Sequence, residues 1–337
     1  MTARDTDWDG VRLHVVTGKG GTGKTTVAAA LALALAGRGR KVLLIEVEGR
    51  QGIARLFDCP PLPYAERKIA IGQGGNGDAG IPGGDVYALA IDPEGALLDY
   101  LQMFYGMRSA GLALTKLGMV DFASAIAPGL SDVLVTGKAT EAARRRLRGP
   151  GSPYTYDAVV MDAPPTGRVG RFLNVTTEVS DLAKVGPIRS HADTVANVIR
   201  SPQTAVHFVC TLEEMPVQET LDGIAELRAI KGIQLGGVFV NMARPTLVPD
   251  HAQLAEPDTA SLVAAFKAAG LPDADQLAAD LATELREHGA QVTLQDRERA
   301  ELDGAGQPLY ELPLITEGID LAALYRLAAE LRNQGAA

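Results

Sequence analysis

Cysteine is scarce in this chain of 337 residues, in which only Cys59 and Cys210 occur. The two residues are far apart and form no Cys-x-x-Cys pair, so the sequence favours neither a disulfide framework nor a thiolate zinc site. We therefore expect no zinc. Cys210 ends the apolar run 205–210, and we expect it to be a buried core thiol.

Long apolar segments are also absent. The longest apolar run, 27–36, is far too short to cross a bilayer, and the acidic start of the chain contains no apolar signal region. We therefore expect a cytoplasmic protein in which residues 1–10 form a flexible N-terminus.

An excess of positive charge is lacking as well. Asp and Glu number 41 against 32 Lys and Arg, which gives a formal net charge of −9. Sequence-independent binding to DNA or to an anionic membrane needs a positive surface, so we expect no nucleic-acid partner. The hydrophobic content of 46% indicates a globular chain with an ample core.

Short apolar runs recur along the chain and alternate with segments of helical periodicity. Runs that are apolar on both faces, separated by helices, predict a mostly parallel, doubly wound α/β sheet. In such a sheet a ligand binds at the carboxyl ends of the strands. The predicted strands are 13–16, 42–45, 86–91, 158–161, 205–210, 236–240 and 309–312.

Two stretches interrupt this alternation within what we predict to be a single domain over 11–337. The glycine-rich segment 72–85 cannot bury enough surface to offset its chain entropy, and we expect a flexible surface loop. Consecutive helical patterns over 93–150 predict an inserted helical subdomain. Its methionines are at helical spacing, which is compatible with core packing or with a soft groove for a client.

Residues 16–26 read Val-Thr-Gly-Lys-Gly-Gly-Thr-Gly-Lys-Thr-Thr and lie between a predicted strand and an Ala/Leu-rich helical segment. This matches the G-x4-G-K-[ST] phosphate-binding loop: glycines let backbone N–H groups face the phosphates, Lys24 reaches the terminal phosphates, and Thr25 ligates Mg²⁺. The predicted nucleotide contacts are Gly18, Lys19, Gly20, Gly21, Thr22, Gly23, Lys24, Thr25 and Thr26.

The same glycines allow a second interpretation. Gly18, Gly20 and Gly23 satisfy G-x-G-x-x-G, and Glu46 or Glu48 follows near the offset at which a dinucleotide fold places its ribose ligand. A dinucleotide-dependent oxidoreductase is therefore an alternative. The Lys-Thr pair directly after the third glycine favours a triphosphate with Mg²⁺, because a dinucleotide fold has no use for it.

A second strand-like run ends at Asp162 and continues as Ala-Pro-Pro-Thr-Gly-Arg. Beside a phosphate loop, this carboxylate would hold Mg²⁺ through its water shell, and the following turn suits a loop that senses the γ-phosphate. An aspartate in this position is alternatively a helix cap. With the phosphate loop nearby, we favour the metal role for Asp162 together with Thr25.

The extra lysine at position 19 makes the phosphate loop resemble that of the dimeric ATPase group that includes arsenite-pump, tail-anchored-protein targeting, partition and division-site ATPases. The segment 162–168 resembles the Asp-Thr-Ala-Pro-Thr-Gly-His motif of the arsenite-pump and targeting branch. The pattern is similar to actinobacterial proteins labelled anion-transporting ATPases, and it extends from residue 11 over nearly the whole chain. Further similar positions are Pro128-Gly129, Glu219-Thr220, Val240-Asn241 and Pro313-Leu314.

This resemblance implies a Mg²⁺-dependent ATPase that works as a dimeric nucleotide switch, energising a transporter or carrying a hydrophobic membrane client. It implies that Lys19 crosses the dimer interface to the partner's nucleotide, and that Asn241 and Pro313 contact adenine. The dimer is either a homodimer or a heterodimer with a paralogous ATPase. A partition or positioning ATPase acting on a surface is an alternative that the negative charge disfavours.

Three departures from the family pattern bear on these expectations. The first switch of the family carries Asp-Pro-Ala-His, whereas residues 46–51 here are Glu-Val-Glu-Gly-Arg-Gln, so Glu48 would orient the attacking water with a longer side chain. Arg168 stands where the family has histidine. The zinc-binding cysteine pair of many targeting ATPases is missing, so a dimer must be held together in another way. Together with the longer side chain of Glu48, this leads us to expect slow turnover of the isolated chain.

Overall fold

The computed structural model describes residues 7–74, 82–92, 95–96, 98–99, 128–149, 151–174, 187–246, 254 and 256–337. These residues form an eight-stranded sheet. Its strands are β1 (Leu13–Gly18), β2 (Val42–Glu46), β3 (Arg67–Ile71), β4 (Asp85–Ala90), β5 (Ala158–Asp162), β6 (Thr204–Cys210), β7 (Leu235–Ala243) and β8 (Leu309–Pro313).

Helices connect most of the strands. Asp258 and Asp320 cap two of them by accepting the backbone N–H groups of Ser261 and Ala323. Within the described ranges, no helix has both the length and the apolar content needed to cross a bilayer. The helices are α1 (Lys24–Leu35), α2 (Gly52–Leu56), α3 (Pro128–Arg144), α4 (Thr166–Leu173), α5 (Pro187–Ile199), α6 (Glu214–Ala229), α7 (Thr259–Ala268), α8 (Ala274–Asp303) and α9 (Leu321–Asn333).

The strand order is β3-β4-β2-β5-β1-β6-β7-β8, and every neighbouring pair except β3 and β4 is parallel. All seven predicted apolar runs are strands of this sheet. The predicted mostly parallel α/β fold is therefore confirmed. β1 lies between β5 and β6, which brings the phosphate loop and Asp162 to the same edge of the sheet.

The sheet is covered on both faces, as the apolar character of its strands requires. On one face, Leu13 and Val15 of β1 pack in a core with residues of α3, α4 and α6. On the other face, Val16 packs with α1 and α9. α1 is buried along most of its length because α9 covers the side that the sheet does not.

The sequence did not predict β3, the edge strand that pairs antiparallel with β4. Its residues Arg-Lys-Ile-Ala-Ile are exposed or half-buried, so the strand lacks the continuous apolar run that identified its neighbours. An edge strand with charged residues is a common protection against pairing with another chain.

Several predicted segments lie wholly or partly outside the described residues. Of the insertion predicted over 93–150, α3 is described as a helix, whereas 100–127 is not described; of the predicted loop 72–85, residues 75–81 are not described. In the segment predicted to be flexible over 1–10, Trp8 donates to the Tyr310 hydroxyl at 3.0 Å, and that hydroxyl donates to Asp7 at 2.6 Å. These bonds hold residues 7 and 8 against the sheet.

Candidate active site

The phosphate loop joins β1 to α1, and its conformation depends on two glycines. A Cβ on Gly18 would collide with the carbonyl oxygen of Val209 on the adjacent strand β6. Gly23 has φ of 83°, in the left-handed region, and a Cβ there would collide with the side-chain amide of Asn241. Glycine is therefore required at both ends of the loop, as the motif predicts.

A cavity of about 360 Å³ opens beside this loop at the carboxyl edge of the sheet. It brings together residues that are far apart in the sequence and that come from the phosphate loop, the loop after β2, and the end of β5. The lining residues are Gly20, Gly21, Gly23, Lys24, Thr25, Thr26, Glu46, Glu48, Arg50, Gly52, Arg55, Asp162 and Pro165.

Thr25 and Asp162, the two predicted metal ligands, are in direct contact. The Thr25 hydroxyl donates to Asp162 Oδ2 at 2.6 Å. The other carboxylate oxygen, Oδ1, is buried and has no hydrogen-bond partner among the described residues. A hydroxyl beside a carboxylate with an unsatisfied buried oxygen fits Mg²⁺, which prefers hard oxygen ligands and binds through one or two carboxylates.

Burial dominates the electrostatics of Asp162. Only 8% of the residue is exposed, and this burial, with smaller contributions from Glu46 and Glu48, raises the pKa of Asp162 to about 6. The hydrogen bond from Thr25 and the charge of Lys24 act in the opposite direction. A buried carboxylate that is costly to ionise gains most from a cation in its vicinity.

Lys24 is half-buried at the floor of the cavity. Its ammonium group donates to the carbonyl oxygen of Lys19 at 3.3 Å. Burial lowers the pKa of Lys24, and the nearby Asp162 and Glu48 carboxylates counteract this effect. The side chain thus lines the cavity beside the phosphate loop, and its contact with phosphate stays a prediction.

Lys19 has a different environment. Its backbone carbonyl belongs to the loop and accepts from the Thr22 hydroxyl at 2.9 Å. Its side chain contacts the Glu219 carboxylate on α6 and is not part of the cavity lining. Gly18 and Thr22 likewise shape the loop rather than line the cavity.

Glu46 and Glu48 have separate tasks. Glu46 is 2% exposed, and its carboxylate accepts the backbone N–H groups of Gly52 and Ile53 at 3.0 and 3.3 Å, at the start of α2. This capping role was not predicted, and it disfavours Glu46 as a ribose ligand in a dinucleotide site. Glu48 lines the cavity, and among the described residues its carboxylate accepts no such bond from the backbone.

The two predicted adenine contacts occupy the carboxyl ends of β7 and β8. Asn241 is buried, and its side-chain amide donates to the carbonyl oxygen of Thr22 at 2.9 Å, so it braces the phosphate loop. Pro313 is exposed at the end of β8, where the backbone N–H of Leu314 donates to Ala243 at 2.9 Å.

A second cavity of about 320 Å³ lies next to these strand ends. Met242 forms part of its wall, and the terminal methyl carbon of Met242 is 3.4 Å from the position of a Cβ on Gly23, so one residue of this wall lies beside the phosphate loop. The contribution of α8 to this wall had no signal in the sequence. The lining residues are Thr211, Leu212, Glu213, Met242, Arg244, Gln291, Leu294, Gln295 and Leu314.

Comparison with known proteins agrees with this site. Residues 11–201 match the model of a family described as anion-transporting ATPase. The chain is also 52% identical over 332 residues to ATPase BagA of Mycobacterium tuberculosis, a match that covers 97% of this chain and 94% of that protein. The chain belongs to the anion-transporting ATPase family. It is therefore an ATPase, and the matched region contains the phosphate loop, Glu48 and Asp162.

More distant relatives belong to the branch that the motifs resemble. The chain is 26% identical over 257 residues to an arsenical pump-driving ATPase of Acidiphilium multivorum, covering 71% of this chain and 40% of the relative. It is 29% identical over 194 residues to the ATPase get3 of Aspergillus niger, covering 56% and 50%. The resemblance to the arsenite-pump and targeting branch is confirmed.

Proposed function

We propose that this ATPase is a Mg²⁺-dependent dimeric switch in the cytoplasm, which uses ATP to energise a transporter or to carry a hydrophobic membrane client. The observation that carries the proposal is the contact between Thr25 and Asp162 beside the phosphate loop, where Asp162 Oδ1 remains without a partner. This arrangement supports a site for Mg²⁺ next to the β- and γ-phosphates of ATP.

The phosphate groups are held by the loop and its lysine. The backbone N–H groups near Gly20, Gly21 and Gly23 and the N-terminus of α1 supply partial positive charge, and Lys24 adds a full one. Thr25 and Asp162 would hold the metal, which neutralises charge on the phosphates when bound. Residues that supply fixed charge stabilise the transition state more than the ground state because charge develops during the reaction.

We further propose that the second cavity receives the adenine base. Met242 is part of the wall of the second cavity and lies beside Gly23, which lines the first, and Leu294 and Leu314 offer apolar surfaces against which a planar base can pack. In this arrangement Asn241 acts on the nucleotide through the loop that it braces, and Pro313 ends the strand that presents Leu314.

Hydrolysis requires a group that orients the attacking water. Glu48 is in the loop after β2 and lines the cavity. Its negative charge is close enough to Lys24 to act on the pKa of that lysine in the upward direction. We assign this orienting role to Glu48. Its side chain has one more rotatable bond than aspartate, and for that reason we propose slow turnover in the isolated chain.

The dimer is proposed from the position of Lys19. Its side chain does not line the cavity of its own chain; it is partly exposed and contacts Glu219. A lysine in this position can reach the nucleotide of a partner and neutralise charge as the γ-phosphate leaves, in the manner of an arginine finger. The partner is a second copy or a paralogous ATPase, and no zinc is needed.

The relatives suggest what the switch acts on. One is named an arsenical pump-driving ATPase, and the family is described as anion-transporting, which supports coupling to a transporter. Resemblance to the targeting branch supports a membrane-protein client. The two free cysteines, Cys59 and Cys210, are separated in the fold and give no support to arsenite as an effector.

The test is to measure molar mass by light scattering for Glu48→Gln, which should bind Mg-ATP without hydrolysing it. We expect a doubled mass in Mg-ATP but not in Mg-ADP, and no change for Lys24→Ala, which cannot bind ATP. A Glu48→Gln chain that is saturated with ATP and stays monomeric would contradict a homodimeric switch.

The partner and cargo are tested in the native cells. Tagged Glu48→Gln purified in Mg-ATP should retain a transporter subunit, a paralogous ATPase or a membrane protein that tagged Lys24→Ala does not retain. Identical sets of retained proteins would contradict an ATP-driven switch.

A further inference from the structure

We infer that Arg168 positions the Glu48 carboxylate for the attack of water on ATP, so that the two residues act as a pair in turnover. The inference rests on the catalytic role proposed above for Glu48. Its basis is the contact between two positions at which this chain departs from the family pattern. Arg168 Nη1 is 3.9 Å from Glu48 Oε1.

The two residues come from different elements, which follow the neighbouring strands β2 and β5. Glu48 lies in the loop after β2, and Arg168 is in the first turn of α4, directly after the Pro-Pro segment that follows Asp162. Their ion pair therefore ties the loop that orients water to the segment that follows the proposed metal ligand. Movement of either segment changes the position of the Glu48 carboxylate.

Arg168 acts from outside the cavity. Glu48 and Pro165 line the cavity, whereas Arg168 does not, and its side chain is mostly exposed. The guanidinium is therefore near the carboxylate without lining the cavity. This geometry makes Arg168 a positioning residue rather than one that touches ATP.

Stability of α4 does not explain an arginine at this position. A cation in the first turn of a helix is opposed by the helix dipole, and the first turn of α4 contains no acidic residue that would offset it. Arg171, one turn further along the same helix, is in the last turn, where a cation is favourable. The position of Arg168 is accounted for by its contact with Glu48.

The second oxygen of Glu48 has its own partner. Arg50 Nε is 3.6 Å from Glu48 Oε2, and Arg50 is exposed and only two residues away in the same loop. Because Arg50 moves with that loop, it restricts the side chain but does not anchor it to the rest of the site. Arg168 supplies the anchor from a separate element.

The chemistry requires this restraint because glutamate has one more rotatable bond than aspartate. A misplacement of about 1 Å can cost on the order of a hundredfold in rate. An exposed ion pair adds little to folding stability, so loss of Arg168 should slow turnover without unfolding the protein.

The test is a double-mutant cycle on single-turnover hydrolysis, with Arg168→Gln in the wild-type chain and in Glu48→Asp. In the wild type we expect Arg168→Gln to lower the rate about tenfold, with unchanged ATP affinity and thermal unfolding. In Glu48→Asp the shorter carboxylate is out of reach of Arg168, and the same substitution should change the rate less than about twofold. Arg168→Lys should restore part of the rate, and Arg171→Gln should have no effect.

Each result decides the inference. Equal losses from Arg168→Gln in both backgrounds, no loss in the wild type, or a loss of ATP affinity would overturn it. Glu48→Gln tests the underlying assignment separately: an unchanged rate in that variant would remove the catalytic role of Glu48 itself. If Glu48→Gln hydrolyses ATP slowly but the cycle with Glu48→Asp shows no coupling to Arg168, the proposed function stands and only the positioning role of Arg168 is rejected.

Discussion

Lys19 contacts the carboxylate of Glu219 on α6 of its own chain, and its side chain is not among those that line the cavity beside its own phosphate loop. Glu219 belongs to the Glu-Thr pair that the sequence shares with the family pattern. A lysine that acts on a partner's nucleotide must leave this contact when the dimer closes. On the proposed role of Lys19, Glu219 would therefore compete with the partner's site for this lysine.

Replacing Glu219 with Gln should favour closure. A partly exposed ion pair is worth at most about 1 kcal/mol, so we expect ATP-dependent dimerisation to strengthen by up to about fivefold. The measurement is the dimerisation constant in Mg-ATP of Glu48→Gln with and without Glu219→Gln. Glu214→Gln, an exposed substitution earlier on the same helix, is the control. Weaker dimerisation of the Glu219 variant would mean that this carboxylate supports the closed state.

Replacing Lys24 with Ala removes the charge that contacts the terminal phosphates, and it should abolish both ATP binding and turnover. Titration with a fluorescent ATP analogue and a phosphate-release assay measure the two effects. Lys231→Ala, an exposed lysine far along the chain, should leave both unchanged. Hydrolysis near the wild-type rate in Lys24→Ala would contradict the assignment of the phosphate loop.

Binding of Mg²⁺ should depend on pH through Asp162. Its pKa of about 6 means that protons compete with the metal in mildly acidic solution. Below pH 6 we expect the apparent affinity for Mg²⁺ to fall about tenfold for each pH unit, measured as the Mg²⁺ concentration needed for half-maximal ATPase activity between pH 5 and 8. Asp162→Asn should have a low apparent affinity for Mg²⁺ at every pH. A pH-independent Mg²⁺ requirement would contradict the role of Asp162.

The buried pair His14 and His207 should make folding stability sensitive to acid. Their rings stack, with His14 Nδ1 at 3.1 Å from His207 Nε2, and burial lowers the pKa of His207 to about 3. The unfolded chain binds a proton near pH 6.5 that the folded chain does not, so stability falls as the pH falls. For each such histidine the loss from pH 7.5 to 5 is about 2 kcal/mol.

Urea unfolding at several pH values measures this loss. A His14→Phe/His207→Phe double variant should lose less stability between pH 7.5 and 5 than the wild type does. His288→Gln, at a half-buried position on α8, is the control. An identical pH dependence of the double variant and the wild type would show that these histidines are not the source.

The parallel strands were predictable because each contains a largely apolar run, and most residues of these runs are buried. β3 was not predictable in this way, since its five residues are half-exposed at the edge of the sheet. The phosphate loop was predictable for a different reason. Its glycines, Lys24 and Thr25 lie within a few residues of one another, and the backbone conformation required of them is local.

The parts of the site that the sequence did not reveal depend on contacts across the fold. Glu46 was a candidate ligand by its spacing, yet its carboxylate caps α2 because the chain turns back towards it at Gly52. The adenine contact of Asn241 stays a prediction, and nothing in the sequence indicates that its amide donates to Thr22, which is 219 residues away in the chain. No local sequence pattern predicts that α8 contributes to the wall of the second cavity beside β7, because this contribution depends on how the helix packs in the fold.

The central claim, that Lys19 acts on the nucleotide of a partner, is tested most directly by mixing two inactive variants. Lys19→Ala should bind ATP but not hydrolyse it, and Lys24→Ala should do neither, although it still carries Lys19. In a mixed dimer isolated through two different affinity tags, the intact loop of the first chain receives Lys19 from the second. We predict that the mixed dimer hydrolyses ATP well above the rate of either variant alone. A mixed dimer that forms and remains as inactive as its parents would contradict action of Lys19 across the interface.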